Sequence, residues 1–413
     1  MLRGACGQNG PQATGCPLSK PCILINASLG SSLVNFRGPL ILELVRRGYR
    51  VVATAPDIGE QDEQAIKRLG AEPVRIDIDR SGTSIVADLR YGLQLFRLIR
   101  ALRPAFVLGY TIKPNIWGSL AARVAAVPSA AMVTGLGFTF IAGKGLKRRA
   151  TQWIAKSLYR LALASSHSVI FQNPDDIADF VAAGCLKDAS KARLVNGSGV
   201  DLAHFQSTPL PDQPVFLLIA RLLVTKGIRE FVTAAATVRK ALPEARFIIA
   251  GPRDASPDGI NEAEIASWSA QAIEYVGELG DVRPAIAGAS IYVLPSYREG
   301  TPRSVLEAMA MGRPIITTDA PGCRQTVADG VSGFLVPVYD TAELAKAMHI
   351  LGGDAKLRRA MAQASLKRAR ELYAVEAVNE TLLGHLGLPP VGQPPQKSLG
   401  SEGAAIVLEQ HAK

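Results

Sequence analysis

Short apolar runs, three to six residues long, recur along the chain, and amphipathic stretches with helical spacing separate them. This alternation predicts parallel sheets wound with helices. In the first half the runs place strands over 23–26, 51–55, 72–76, 106–110, 130–133 and 168–171, with helices over 35–47, 84–102 and 146–164. In the second half strands fall over 215–220, 246–250, 274–276, 291–294, 314–317 and 333–336. The chain reads βαβα twice, which makes it an α/β protein of two doubly wound halves.

Residues 197–214 are rich in turn formers and lack helical periodicity, and the segment from 389 onward is dominated by Pro, Gly, Ser and Gln. The expected organisation is an N-terminal domain over 21–197, a linker over 198–214, a C-terminal domain over 215–373, a C-terminal helix over 374–388 crossing back, and a disordered tail over 389–413. A length of 413 residues suits two domains of roughly 200. With 48% hydrophobic and 20% charged residues the chain can bury large cores. It has no apolar run of 18 residues, and its first twenty residues lack the apolar core of a secretion signal, so a cytoplasmic protein without a spanning helix is expected. The five cysteines show no CxxC spacing and the five histidines share no motif, so no metal site or disulfide framework is expected.

Charge divides the chain more sharply than composition does. Residues 1–205 carry 25 Lys and Arg against 14 Asp and Glu, whereas the remainder carries 21 against 22. Clusters such as Arg97/Arg100/Arg103 and Lys144/Lys147/Arg148/Arg149 suit either an anionic membrane surface, bound peripherally, or solvated helix faces. Ile141, Leu146 and Trp153 add apolar contact beside the second cluster. Aromatic residues do not interleave with these clusters, which argues against a nucleic-acid platform.

The candidate chemistry lies in two segments. Ser296-Tyr-Arg-Glu299-Gly-Thr-Pro-Arg-Ser-Val-Leu-Glu307 follows a predicted strand and enters a helix. With Thr301 as N-cap and Pro302 at the first helical position, the amides of Arg303, Ser304 and Val305 form an anion cradle. Glu307 lies about 7.5 Å along the axis from Pro302 at 1.5 Å per residue. Two carboxylates thus flank one anion site, suiting a sugar on one side of a diphosphate and a ribose on the other. The second segment, Arg221-Leu-Leu-Val-Thr-Lys226-Gly227, follows the first strand of the second half, where doubly wound sheets bind ligands. Two cations there can neutralise a departing diphosphate.

Together these segments resemble the retaining GT-B glycosyltransferases of family 4, the glycosyl transferases group 1 type. The E-x7-E signature is present as Glu299 and Glu307, the basic pair as Arg221 and Lys226, and the resemblance spans roughly residues 21–385. It implies two Rossmann-like domains facing a cleft and transfer of a hexose or N-acetylhexosamine from a nucleotide sugar, most simply a UDP-sugar, with no cofactor and no metal. It assigns Arg221, Lys226 and Glu299 to catalysis. Glu307 falls to the ribose, the amides of Gly300, Thr301, Arg303, Ser304 and Val305 around Pro302 to sugar and phosphate, and Gly277-Glu278-Leu279 to the base. In the first half, Gly30 stands where the family has a Gly-Gly loop near the donor, while Arg37, Lys113, Thr134 and Gly135 fall on the acceptor side. Thr134 replaces a histidine common in relatives. The sub-pattern is similar to enzymes that extend lipid-linked bacterial surface sugars, which implies a polyprenyl-diphosphate-linked glycan acceptor at the inner membrane face. Two other readings share the fold: a nucleotide-sugar 2-epimerase, which does not normally carry this E-x7-E and R-x4-K pairing, and a noncatalytic nucleotide-sugar binder.

Overall fold

The apolar runs become strands that are mostly buried, because helices cover the sheets. The computed structural model describes residues 20–79, 84–136 and 146–393. The first sheet contains β1 (Cys22–Asn26), β2 (Arg50–Ala55), β3 (Glu72–Arg75), β4 (Phe106–Tyr110), β5 (Ser129–Val133), β6 (Ser168–Phe171) and β7 (Ala192–Leu194). Around it lie α1 (Gly30–Asn35), α2 (Gly38–Arg46), α3 (Glu60–Arg68), α4 (Ile85–Leu102), α5 (Ile112–Val124), α6 (Leu146–Leu163) and α7 (Pro174–Ala182). The second sheet contains β8 (Val215–Ile219), β9 (Arg246–Ala250), β10 (Ile273–Tyr275), β11 (Ile291–Leu294), β12 (Ile315–Thr318) and β13 (Gly333–Val336). Its helices are α8 (Ile228–Ala241), α9 (Glu262–Trp268), α10 (Arg283–Ala287), α11 (Arg303–Ala310), α12 (Thr341–Gly353) and α13 (Ala355–Leu372), and α14 (Val375–Leu386) follows.

Both sheets are parallel, in the orders β3-β2-β1-β4-β5-β6-β7 and β10-β9-β8-β11-β12-β13. Each reverses direction beside its first strand, and such a switch point opens a crevice at the carboxyl ends of the strands. The two crevices meet: the side chain of Asn173, just after β6, donates to the carbonyl of Gly300, beyond β11, at 2.8 Å.

Three expectations change. The helix expected over 35–47 is shortened to α2, Gly38–Arg46, and a separate α1 precedes it; the two are broken at Phe36-Arg37 because Pro39 cannot donate an amide to the preceding turn and instead opens α2. β7 was not anticipated. The expected free tail at 389 is held at its start: the Tyr49 hydroxyl donates to the Pro389 carbonyl at 2.7 Å and the Val391 amide to the Arg47 carbonyl at 2.8 Å.

The chain crosses between domains at two adjacent places. Val200 exchanges backbone hydrogen bonds with Tyr373 and Val375. Beyond that point α14 leaves the second core and buries Leu382, Leu383 and Leu386 with α2 and β1 in the first. No helix among the described residues is long and apolar enough to cross a membrane. Of the basic cluster proposed for a membrane, Ile141 and Lys144 lie outside the described residues, as do the side chains of Leu146, Lys147 and Arg148. Farther along α6, Trp153, Ile154 and Leu161 are exposed.

Candidate active site

β8 and β11 are neighbours, so the loops leaving them lie side by side. The Tyr297 amide ties them together by donating to the Thr225 carbonyl at 2.9 Å. Gly227 closes the first loop with φ +70°, and a Cβ there would run into the Pro295 carbonyl, so both the backbone conformation and the space call for glycine. This geometry brings Lys226 to Glu299, 73 residues later, and Nζ donates to Oε1. Both side chains are largely buried. Arg221 is more open, with its side chain 61% exposed, and it pairs with Asp254 at 3.0 Å. The Ser256 hydroxyl and amide hold the Asp254 carboxyl below the usual range, with Arg221 adding to the effect.

α11 begins one residue later than expected. Pro302 is its N-cap and Arg303 its first residue, so the expected Thr301 cap is replaced. The Thr301 hydroxyl donates instead to the Gln172 carbonyl of the first domain at 3.1 Å. The Val305 amide, expected to be free, donates to the Pro302 carbonyl at 3.1 Å. Those of Arg303 and Ser304 have no acceptor within the helix. Glu307, one turn into α11, is buried and accepts from Arg303 Nε at 2.8 Å. Burial raises its carboxyl above the usual range, against the pull of Arg303. Arg303 also reaches the first domain, where it donates to the Asn35 carbonyl and lies 5.1 Å over the Phe36 ring.

The Glu299-Gly300 turn is wedged between domains. A Cβ on Gly300 would meet the Thr134 carbonyl and, at 2.6 Å, Gln172 Oε1; one on Gly135, where φ is +124°, would come within 3.3 Å of the Gly300 amide. Thr134 and Gly135 therefore lie against the Glu299-Gly300 turn. Gly30 is less available than expected, since its amide donates to the Asp57 carboxylate at 2.6 Å. Lys113 turns aside to Asp88 at 2.6 Å. Arg37 is buried with its guanidinium 4.0 Å over the Tyr110 ring. Gly277, beyond edge strand β10, has φ +75° and accepts from the Gly251 amide at 2.7 Å, while Glu278 is exposed.

Sequence reasoning missed the residues that lock the cleft. Asn173 caps α7 through the Asp176 amide, and Asp175 and Asp176 in its first turn bind Arg324 and Arg298 of the second domain. The Asn-Pro-Asp-Asp run directly after an apolar strand was a readable N-cap signal on the ligand edge of the first sheet.

Residues 213–354 match the family described as glycosyl transferases group 1, and residues 37–197 match the glycosyl transferase 4-like domain. The chain belongs to this family of glycosyltransferases. It is 29% identical over 351 residues to the N,N'-diacetylbacillosaminyl-diphospho-undecaprenol α-1,3-N-acetylgalactosaminyltransferase of Campylobacter jejuni, covering 81% of this chain and 90% of that one. It is 25% identical over 271 residues to the UDP-Gal:α-D-GlcNAc-diphosphoundecaprenol α-1,3-galactosyltransferase of Escherichia coli, covering 62% and 68%. The fold is that of HepE from Anabaena, solved in complex with UDP and glucose, with a TM-score of 0.71 at 17% identity over 89% of this chain and 99% of that one.

Proposed function

We propose that the protein moves a hexose or N-acetylhexosamine from a UDP-sugar, with retention at the anomeric carbon, onto a polyprenyl-diphosphate-linked glycan in surface polysaccharide or lipopolysaccharide assembly. The observation that carries this reading is the Lys226–Glu299 pair at the switch point of the second sheet, facing the first domain's loops. A donor diphosphate arriving beside Lys226 offers the ammonium a second anion, and Glu299 is then released to accept from sugar hydroxyls. Arg221 and Lys226 stabilise the leaving UDP, and because both are fixed cations the reaction proceeds without a metal. Glu307 accepts from the ribose, the start of α11 receives phosphate oxygens, and the Gly277–Leu279 backbone holds the base. Acceptor chemistry follows from the relatives, whose names specify undecaprenyl-diphosphate-linked sugars.

Labelled UDP-sugars offered with extracted polyprenyl-diphosphate-linked acceptors test the reading. Label is expected in the lipid-linked product, in the donor's anomeric configuration and at the same rate with a chelator present. An epimerised nucleotide sugar or free sugar, with no labelled acceptor, would favour the epimerase instead. Peripheral attachment to an anionic membrane is checked separately: sedimentation with anionic liposomes at low salt and release at high salt are expected. Equal binding to neutral liposomes contradicts it.

A further inference from the structure

Arg37 stands apart from the other buried arginines. Arg313 and Arg358 each donate to several backbone carbonyls. Arg37 is 7% exposed, yet among the described residues its guanidinium has neither a carboxylate nor a hydrogen-bond acceptor. It rests on the Tyr110 ring at 4.0 Å. A cation–π contact is worth about 0.5–2 kcal/mol, whereas a buried charge costs several. Burial accordingly lowers the Arg37 pKa, and repulsion from Arg303 lowers it further. Tyr110 ends β4 at the ligand edge of the sheet, and its buried hydroxyl also has no hydrogen-bond partner among the described residues.

Across the cleft, Arg303 opens α11 and is bonded to Asn35 and stacked over Phe36, the two residues preceding Arg37. Two guanidinium groups, an unused hydroxyl donor and a helix N-terminus therefore share one corner of the cleft; Arg303 is paired there with Glu307, but among the described residues Arg37 has no anion, and one arriving between them gains most from Arg37. We propose that Arg37, Tyr110 and Arg303 form a recognition site for a substrate diphosphate, with one cation supplied by each domain. A guanidinium presents a planar fork of donors suited to phosphate oxygens, and the Tyr110 hydroxyl adds a further donor. Because the anion is shared between domains, its binding favours the closed cleft. The identity of the ligand as substrate rests on the transferase reading; the anion site itself does not.

Calorimetry on the full chain uses two probes: UDP alone, and geranyl diphosphate added to the UDP-saturated protein. Arg37→Gln is expected to weaken one of them about tenfold or more, the loss typical of a hydrogen bond to a charged group, with Arg37→Lys restoring part of it. Weakened UDP assigns the site to the donor, whereas weakened geranyl diphosphate at unchanged UDP affinity assigns it to the lipid-linked acceptor. Tyr110→Phe keeps the ring under Arg37 and removes only the hydroxyl. It should weaken the same probe severalfold while raising the unfolding temperature of the unliganded protein, since a buried orphan donor is gone. Unchanged affinity for both probes in Arg37→Gln and in Tyr110→Phe overturns the site. Because neither probe requires sugar transfer, an absence of transferase activity leaves this result readable.

Discussion

The two domains share a strand order but differ in one buried charge. At the mouth of the second sheet each ionic candidate is already partnered within its own domain: Lys226 with Glu299, Arg221 with Asp254, Arg303 with Glu307. On the first domain's edge Lys113 is paired in the same way with Asp88, but Arg37 is buried and unneutralised among the described residues. Internal pairing fixes side chains before a ligand arrives, and a donor then exchanges partners rather than ordering loose groups. An uncompensated cation has no partner to exchange and gains most from an incoming anion. On the proposed reading the second domain holds and activates the donor, and Arg37 of the first responds to an anion brought to it.

Charge reversal at Lys226 strikes the most committed of these pairs and should have the largest effect. Lys226→Glu sets a carboxylate against Glu299 and the leaving diphosphate, and kcat is expected to fall by about 2.7–4 kcal/mol, some 10²–10³-fold. Steady-state rates near the wild type would break the contrast outright.

Next in size is the ionic lock that joins the domains. Burial pushes the Asp176 carboxyl up to about 6, outweighing the hydrogen bond from Arg298. That same contact raises Arg298. The burial of Asp176 decides the direction, because one of its carboxylate oxygens has no hydrogen-bond partner among the described residues. A raised folded-state value means that the folded protein holds this proton more tightly than the unfolded chain. Its contribution to stability is full below about pH 4 and lost as pH rises through 6. Asp176→Asn lacks this dependence, so denaturant titrations should show the variant gaining up to about 3 kcal/mol on the wild type between pH 4 and pH 7. A pH-independent difference would mean that Asp176 titrates alike in the folded and unfolded chains, and a variant that loses stability relative to the wild type as pH rises would make its charge favourable.

The two glutamates should fail in different ways, each by about tenfold or 1.4 kcal/mol. Glu299→Ala frees Lys226 for the diphosphate, so UDP affinity should hold while kcat falls because the reacting sugar is misplaced. Glu307→Ala removes a contact made in both ground and transition states, so donor KM should rise at nearly constant kcat. The reverse pattern would exchange their roles. The smallest effect belongs to the open pair: with Arg221 61% exposed, Arg221→Ala should change unfolding free energy by no more than about 1 kcal/mol.

The strands were readable because apolar runs bounded by turn residues have few alternatives, and most lie within a residue or two of their expected positions. β7, Ala192–Leu194, was not, although β10, equally short, was placed to within a residue. The Glu299 and Glu307 spacing, the glycines and the basic pair were equally legible as local chemistry. The pairing of Lys226 with Glu299 was hidden, because it depends on β8 and β11 lying side by side although 73 residues separate the two groups. The same holds for Thr301: local propensity makes it a cap, but a carbonyl of the other domain lies within its reach.

The division of labour is tested most directly by titrating UDP into the full chain and into one charge variant from each domain. The account predicts that Lys226→Glu loses most of the binding heat while Lys113→Gln, whose lysine is turned toward Asp88 in the first domain, binds UDP as the wild type does. Wild-type UDP affinity in Lys226→Glu together with its loss in Lys113→Gln would move the donor to the first domain and contradict it.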